Sequence, residues 1–360
     1  MISYFSRVKP FILLMFFSFA YEMYGQPHEQ DTIVEYLINA KTKANEAPKE
    51  ATPEYAKKLD SLLIKISYAK SDSIRIAALD NLFYYYYDIS DFNGAKKVSD
   101  SIIQIAERTN DNNGRLIGYW GLADVQSRKG NASQALINYH LAFEALDMLQ
   151  MSHQIKTNYQ GGLLNNIAGI FLNFDDMDNS SLYYQKAIGY LIEGKDTSAL
   201  ATVYFNLSEL FQQFKQFDKS YEYCKQSLIF KTKKNEWQQQ ISLSKMVVMC
   251  IKLNKPDEAN YFLREAEKLD FDISDNAYLR SMMINNARGQ YYLYKRDFLK
   301  AERFIMQAYQ DATRHTVPSW ILSQAREVGL SYLTLREYKK AQHFFFITRD
   351  IALEFSYRHA

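Results

Sequence analysis

The chain has 360 residues, with 43 Lys and Arg against 41 Asp and Glu and a formal net charge of +2. That near-neutral balance, with no block of five like charges, argues against a nucleic-acid binder and against an acidic tail or polybasic arm. With 47% hydrophobic and 15% aromatic residues but only 6 Pro and 13 Gly, the chain can bury a large core and favours helices over a sandwich or barrel. The first 25 residues read as an export signal. Arg7 and Lys9 are a short basic region, and Phe11 to Ala20 is an apolar run broken only by Ser18. The run is too short for a stable membrane-spanning helix. Small residues at Ser18 and Ala20, or Gly25 before Gln26, offer cleavage points. The mature chain is then periplasmic or secreted; the alternative is an uncleaved anchor in the inner membrane. The only cysteines, Cys224 and Cys250, lie far from this region, which excludes a lipid-modified cysteine at the cleavage site.

Residues 26–75 hold N-terminal helices. Thr32 to Ala44 is one, and Pro48 and Pro53 mark a break. Glu54 to Tyr68 follows, with Leu59, Leu62, Leu63 and Ile66 on one stripe. These two segments could form a worn repeat with Ala56 as its small residue.

From residue 76 to residue 360 a pattern recurs. The stretch from Leu200 to Phe230 shows it best: two amphipathic helices broken at Lys215 to Asp218, with Leu207, Ser208 and Phe211 on the first and Ser220, Cys224 and Ser227 on the second. Small residues open each second helix at Ala95, Ala135, Ser180, Ser220, Ala259, Ala301 and Ala341, spaced 40, 45, 40, 39, 42 and 40 apart. Twelve places before each stand Phe83, Ala123, Ala168, Ser208, Val247, Gly289 and Gly329, mostly small. Seven places after stand Ile102, Ala142, Ala187, Ser227, Ala266, Ala308 and Thr348. The unit around Ala259 departs most, with Val247 at the small position and Pro256 where Phe217, Phe298 and Tyr338 stand elsewhere; a proline is tolerated there as the start of the second helix.

These residues resemble the tetratricopeptide repeat (TPR), whose units are usually about 34 residues long. The longer units here imply an extra helical turn or longer joints. The resemblance implies an all-α, right-handed superhelical solenoid of about seven repeats, with a concave face made by the first helices. It also implies a ligand site there. Such grooves commonly hold extended peptides or partner helices, with first-helix asparagines gripping the peptide backbone. Asn81, Asn166 and Asn206 stand at that place, and Tyr84, Tyr87, Trp120, Asp124, Arg128, Asn165, Phe205, Glu209, Gln213, Gln290 and Arg326 project the same way. The competing reading is that the asparagines tie neighbouring helices together. The lysine-rich clamp that some members use for C-terminal carboxylates is not matched, since Asp80, Trp120 and Phe205 occupy its places. Of the run Tyr84 to Tyr87, Tyr86 falls on the core position, while Tyr84 and Tyr87 face the groove.

No catalytic, metal or cofactor constellation is expected. The six histidines are not at metal-ligand spacing, and there is no HExxH, CxxC, GxSxG or phosphate-binding loop. Gly161, Gly162 and Gly169 resemble a dinucleotide fingerprint only superficially, because no strand precedes them; close helix packing is the better reading. Cys224 and Cys250 fall on helices that touch in stacked units and read as two buried thiols, with a disulfide as the alternative in an exported chain. The final helix, Gln342 to Phe355, carries Phe344, Phe345, Phe346, Ile347, Ile351, Leu353 and Phe355. That predicts an apolar end suited to self-association or docking.

The export signal and long, tyrosine-rich repeats resemble the periplasmic TPR sensor regions of bacterial membrane regulators. The expected function is non-catalytic binding of a protein or peptide in the cell envelope, as the sensor part of a signalling regulator. The alternative is a free-standing exported scaffold for envelope protein assembly, and an enzyme is the least favoured reading. Nucleic acid is not an expected partner. A membrane is one only if the N-terminal segment stays uncleaved or the natural chain is longer.

Overall fold

The structure is a computed structural model that describes residues 53–89, 91–230, 236–269, 277–314 and 318–357. The export signal and the helix expected at Thr32 to Ala44 lie outside them. The chain divides into two compact units, residues 1–63 and 64–360. The described residues begin at Pro53 with helix α1 (Pro53–Ser67), and the division falls within that helix. No helix among the described residues is long and apolar enough to cross a membrane.

The second unit is an all-α solenoid of seven helical hairpins. They are α2 (Asp72–Asp88) with α3 (Phe92–Thr109), α4 (Asn112–Arg128) with α5 (Ala132–Asp147), and α6 (His153–Asn173) with α7 (Met177–Glu193). Next come α8 (Thr197–Gln213) with α9 (Phe217–Ile229) and α10 (Glu236–Lys252) with α11 (Pro256–Lys268). The last are α12 (Ala277–Tyr294) with α13 (Phe298–Arg314), and α14 (Pro318–Thr334) with α15 (Tyr338–Tyr357).

The small residues hold each hairpin together. All seven openers, from Ala95 to Ala341, are at most 2% exposed, so the helix backbones meet where the sequence puts them. In two hairpins the opener is serine, and its hydroxyl becomes a strut. Ser180 Oγ donates to the Ala168 carbonyl at 3.0 Å and Ser220 Oγ to the Ser208 carbonyl at 2.8 Å, each satisfying a polar group that would otherwise be buried alone. At Gly289, a Cβ would stand 2.3 Å from Ile305 Cγ1, and at Gly161 2.5 Å from Leu191 Cγ. Gly161 and its neighbour Gly162, which lies under Trp120, are therefore packing glycines in α6 and not part of a nucleotide loop.

Six of the seven corners inside the hairpins repeat one backbone device. Five residues before the opener stands a residue with positive φ: Gly130, Asp175, Lys215, Asn254, Arg296 and Arg336, at φ between 56° and 77°. The next N–H then reaches back five residues, as in Asp176 to Phe171 at 3.0 Å, Gln216 to Phe211 at 2.8 Å and Glu337 to Tyr332 at 2.9 Å. This is the Schellman closure of a helix C-terminus. Only one of the six positions is glycine, so at the others the left-handed conformation carries some steric cost. The second helix then begins at once, with a side-chain cap at several corners: Asp91 accepts from the Gly94 amide at 2.8 Å and Asp176 from the Asn179 amide at 3.0 Å.

Cys224 and Cys250 are both buried and free. The Cys224 thiol donates to the Ser242 carbonyl at 3.3 Å. Burial pushes both thiols up to about 12. On α15, Phe344 is 8% exposed and sits in the last hairpin's core, with Phe345 and Ile347 packed against it. The large apolar side chains it leaves exposed include Phe346 and Leu353, at 46% and 47%. The apolar end expected from sequence is thus divided, with Phe344 spent on α15's own hairpin and Phe346 and Leu353 left exposed.

Candidate functional site: a cavity enclosed by the first helices

All seven first helices, from α2 to α14, line one cavity of about 600 Å³. That size falls within the range of pockets that enclose drug-sized ligands. The solenoid turns far enough to bring its two arms together across it. The Arg128 guanidinium, at the end of α4, stands over the Trp320 ring of α14 at 5.3 Å. The same side chain donates from Nε to the Tyr87 hydroxyl of α2 at 2.8 Å. Arg128 therefore joins the second, first and last hairpins, with two aromatic rings holding its charge in place.

The wall built by α4, α5, α6 and α8 is polar and internally bonded. Asn206 Nδ2 donates to Asn165 Oδ1 at 2.9 Å, Asn165 Nδ2 to Asn166 Oδ1 at 3.0 Å, and Asn166 Nδ2 to Asp124 Oδ1 at 2.9 Å. The Tyr139 hydroxyl donates to the same carboxylate oxygen. This relay crosses three first helices and ends on a carboxyl that burial pushes up to about 6, against the pull of the Tyr139 and Asn166 hydrogen bonds. The asparagines thus tie neighbouring helices together in this structure. Gln213, further along α8, donates to the Leu172 carbonyl at 3.3 Å and to Asp175, another bond to the preceding hairpin.

The wall built by α10, α12 and α14 is different. Ile241, Val248, Leu279, Met282, Met283 and Trp320 give it an apolar surface, with the amides of Gln238, Asn286 and Gln324 set among them. Where the two walls meet, Lys245 of α10, 3% exposed, pairs with Glu209 of α8. Gln238 Nε2 donates across the same junction to Thr202 Oγ1.

Nine of the fourteen residues projected toward the groove from sequence line this cavity: Tyr87, Asp124, Arg128, Asn165, Asn166, Phe205, Asn206, Glu209 and Gln213. Five do not. Asn81 is exposed and donates to its own helix at the Ala77 carbonyl, 2.7 Å away. Tyr84 is 55% exposed, edge-on to Phe83. Trp120 packs over Gly162 and near Tyr159. Gln290 is buried and donates to Glu327 at 3.0 Å, and Arg326 lies 3.7 Å from the same carboxylate. In the tyrosine run, Tyr85 and Tyr86 are both 5% exposed and core-filling, while Tyr87 lines the cavity.

Sequence reasoning missed Lys245, Trp320 and the glutamines of the second wall. A usable signal existed. Lys245 with Glu209, Asn166 with Asp124, Asn206 with Asn165, Arg128 with Tyr87 and Gln290 with Glu327 are separated by 36, 42, 41, 41 and 37 residues. Each is a complementary pair about one repeat apart, on consecutive first helices.

No protein-family model matches the sequence, and no curated protein is significantly similar to it. Solved structures do match. A Rap protein in complex with a competence and sporulation factor is 12% identical, with 94% of this chain and 92% of that one covered at a TM-score of 0.66. Aspartyl phosphate phosphatase F from Bacillus subtilis is 13% identical over 92% and 86% of the two chains, TM-score 0.61. The apo form of RapI is 9% identical over 78% and 98%, TM-score 0.60. At such identities the likeness defines the fold: this chain is a TPR-like helical-repeat protein.

Proposed function

We propose that this chain is a non-catalytic binding module that captures a protein segment or peptide in the bacterial cell envelope, as the sensor part of a signalling regulator. The observation that carries the reading is the single cavity that all seven first helices share, with apolar anchor surface on one wall and hydrogen-bonding amides on both. A solved neighbour of the same fold is a complex with a competence and sporulation factor, which makes ligand capture a natural use of this architecture. A non-catalytic role is supported by how the cavity's carboxylates are engaged. Asp124 is held by Tyr139 and Asn166, Glu209 by Lys245, and Glu327 by Gln290 and Arg326. Groups committed to helix-to-helix bonds are poorly placed to serve as general acid and base. The envelope assignment rests on the N-terminal basic and apolar pattern.

The test has two arms. The full-length chain is expressed with a C-terminal tag, fractionated, and its mature N-terminus determined. A processed chain in the periplasm or medium is expected; an intact Met1 in the cytoplasm overturns the envelope reading. The purified protein is then used to capture partners from periplasmic extract. A partner lost on Phe205→Ala, in the cavity wall, is expected. Capture unaffected by that change places recognition elsewhere on the solenoid.

A further inference from the structure

Among the described residues, four amide oxygens of cavity-lining residues are buried without a hydrogen-bond partner. They belong to Gln212, Gln238, Asn286 and Gln324, one on each of the four consecutive first helices α8, α10, α12 and α14. Folded proteins satisfy nearly all buried acceptors, because a buried group without a partner forfeits its bonds to water and gains nothing back. A concentration of such oxygens around one cavity points to a donor that arrives with a ligand. The terminal amide torsion is soft, so each group can turn its oxygen or its nitrogen toward the cavity at little cost. An amide that offers both a donor and an acceptor matches a peptide bond, which does the same.

The surroundings narrow the class further. Met282, Met283 and Trp320 line the cavity with these amides, so this wall favours apolar side chains on the occupant. Methionine adapts to varied apolar shapes, which suits side-chain capture without a rigid slot. The contact of Arg128 over Trp320 closes the cavity across its width, so the occupant is a short segment and not a folded domain or a long helix. The asparagines of the opposite wall are already bonded to one another and to Asp124, and so are less available to grip a backbone.

Resting on the binding-module reading above, we propose that the cavity takes a short extended peptide with apolar side chains. Its backbone is held by the amides of Gln212, Gln238, Asn286 and Gln324, and its side chains are seated against Met282, Met283 and Trp320. Three of the gripping residues are thus on the second wall, Gln212 joins them from the end of α8, and none is an asparagine of the first wall.

The probe is a library of blocked hexapeptides with randomised apolar positions, presented to the purified full-length chain. Selected peptides are then measured singly by fluorescence anisotropy. Retained sequences should carry at least one large apolar side chain. Gln324→Leu and Asn286→Leu should each weaken the selected peptide about tenfold, the scale of one hydrogen bond lost. Both variants should keep or raise the melting temperature, because an unsatisfied buried amide has been replaced by an apolar group of similar size. A merely structural amide, or one satisfied by water, would leave affinity unchanged, and that result overturns the proposal while leaving peptide binding intact. If no hexapeptide is retained but a protein is still captured from extract, the proposal falls and the binding-module reading stands. Failure of both retention and capture overturns both.

Discussion

The two walls of the cavity use the same side-chain chemistry to opposite ends. On α6 and α8 the amides of Asn165, Asn166 and Asn206 are spent on one another and on Asp124 of α4, fixing how successive hairpins stack. On α10, α12 and α14 the amides of Gln238, Asn286 and Gln324 sit in an apolar field with their oxygens unmatched. Residue type therefore does not distinguish a structural amide from a recognition amide. What distinguishes them is whether the amide oxygen is buried without a partner: Gln238 keeps its oxygen unmatched even though its Nε2 reaches Thr202 one repeat away.

The sharpest way to break this contrast lies where the walls meet. Lys245 is 3% exposed on its side chain and is matched by Glu209, whose side chain is 39% exposed. Glu209→Ala strands a buried cation, and a loss of about 2–4 kcal/mol in urea unfolding is expected, reduced from the usual figure because the glutamate is partly solvated. Lys245→Met should cost far less, and combining the two should recover most of the loss. A double variant as unstable as Glu209→Ala would show that the pair is not what joins the walls.

The polar wall can be tested for its structural role directly. Asn166→Ala removes a donor to Asp124, and Asn206→Ala removes one to Asn165. Each should lower stability by about 1–2 kcal/mol, with any captured partner still bound by the folded fraction. Unchanged melting temperatures with weakened capture would return these asparagines to ligand recognition.

The end of the relay should also make stability depend on pH. Burial raises the folded-state value of Asp124 to about 6, above an unfolded value of about 3.9. The folded state then holds a proton that the unfolded state releases. The associated stability is fully present below about pH 4, is lost as pH rises through about 6, and levels off beyond. The expected change from this group is on the order of 2 kcal/mol. Asp124→Asn keeps an acceptor for Asn166 and should flatten this part of the profile. Melting curves of both proteins from pH 4 to pH 7 decide it; parallel profiles would mean that Asp124 does not titrate in this window.

The smallest effect concerns the hairpin corners, which are common to both walls. Lys215 holds φ at 58° in the same place where Gly130 stands in an earlier corner. Lys215→Gly should stabilise by about 0.5–1 kcal/mol, the left-handed strain relieved less the added freedom of the unfolded chain. No change in the unfolding midpoint would show that the backbone carries no strain there.

Much of the fold was legible before any coordinates. The small residues at Ala95 through Ala341 recur at a near-constant interval, and each proves to be a helix-crossing point, because close backbone approach admits few other side chains. Pro256 was readable as the start of a second helix, and the structure puts it at the first position of α11. Groove membership was only partly legible. Asn81 and Asn166 occupy the same place in the repeat, yet Asn81 turns to its own helix at the Ala77 carbonyl while Asn166 bonds to Asp124 on the preceding first helix. Repeat position sets the direction of the Cα–Cβ bond; the rotamer depends on what the next hairpin offers.

The sequence by itself determined the all-α class, the hairpin unit and its register, because those follow from local periodicity and from side-chain size at the helix crossing. It also held, unread, the complementary pairs one repeat apart that lock consecutive first helices. Only the tertiary structure decided that the array turns far enough for Arg128 to meet Trp320, enclosing a cavity between arms distant in sequence. The physical reason is accumulation: each hairpin adds a small rotation set by its packing, and no single unit encodes their sum.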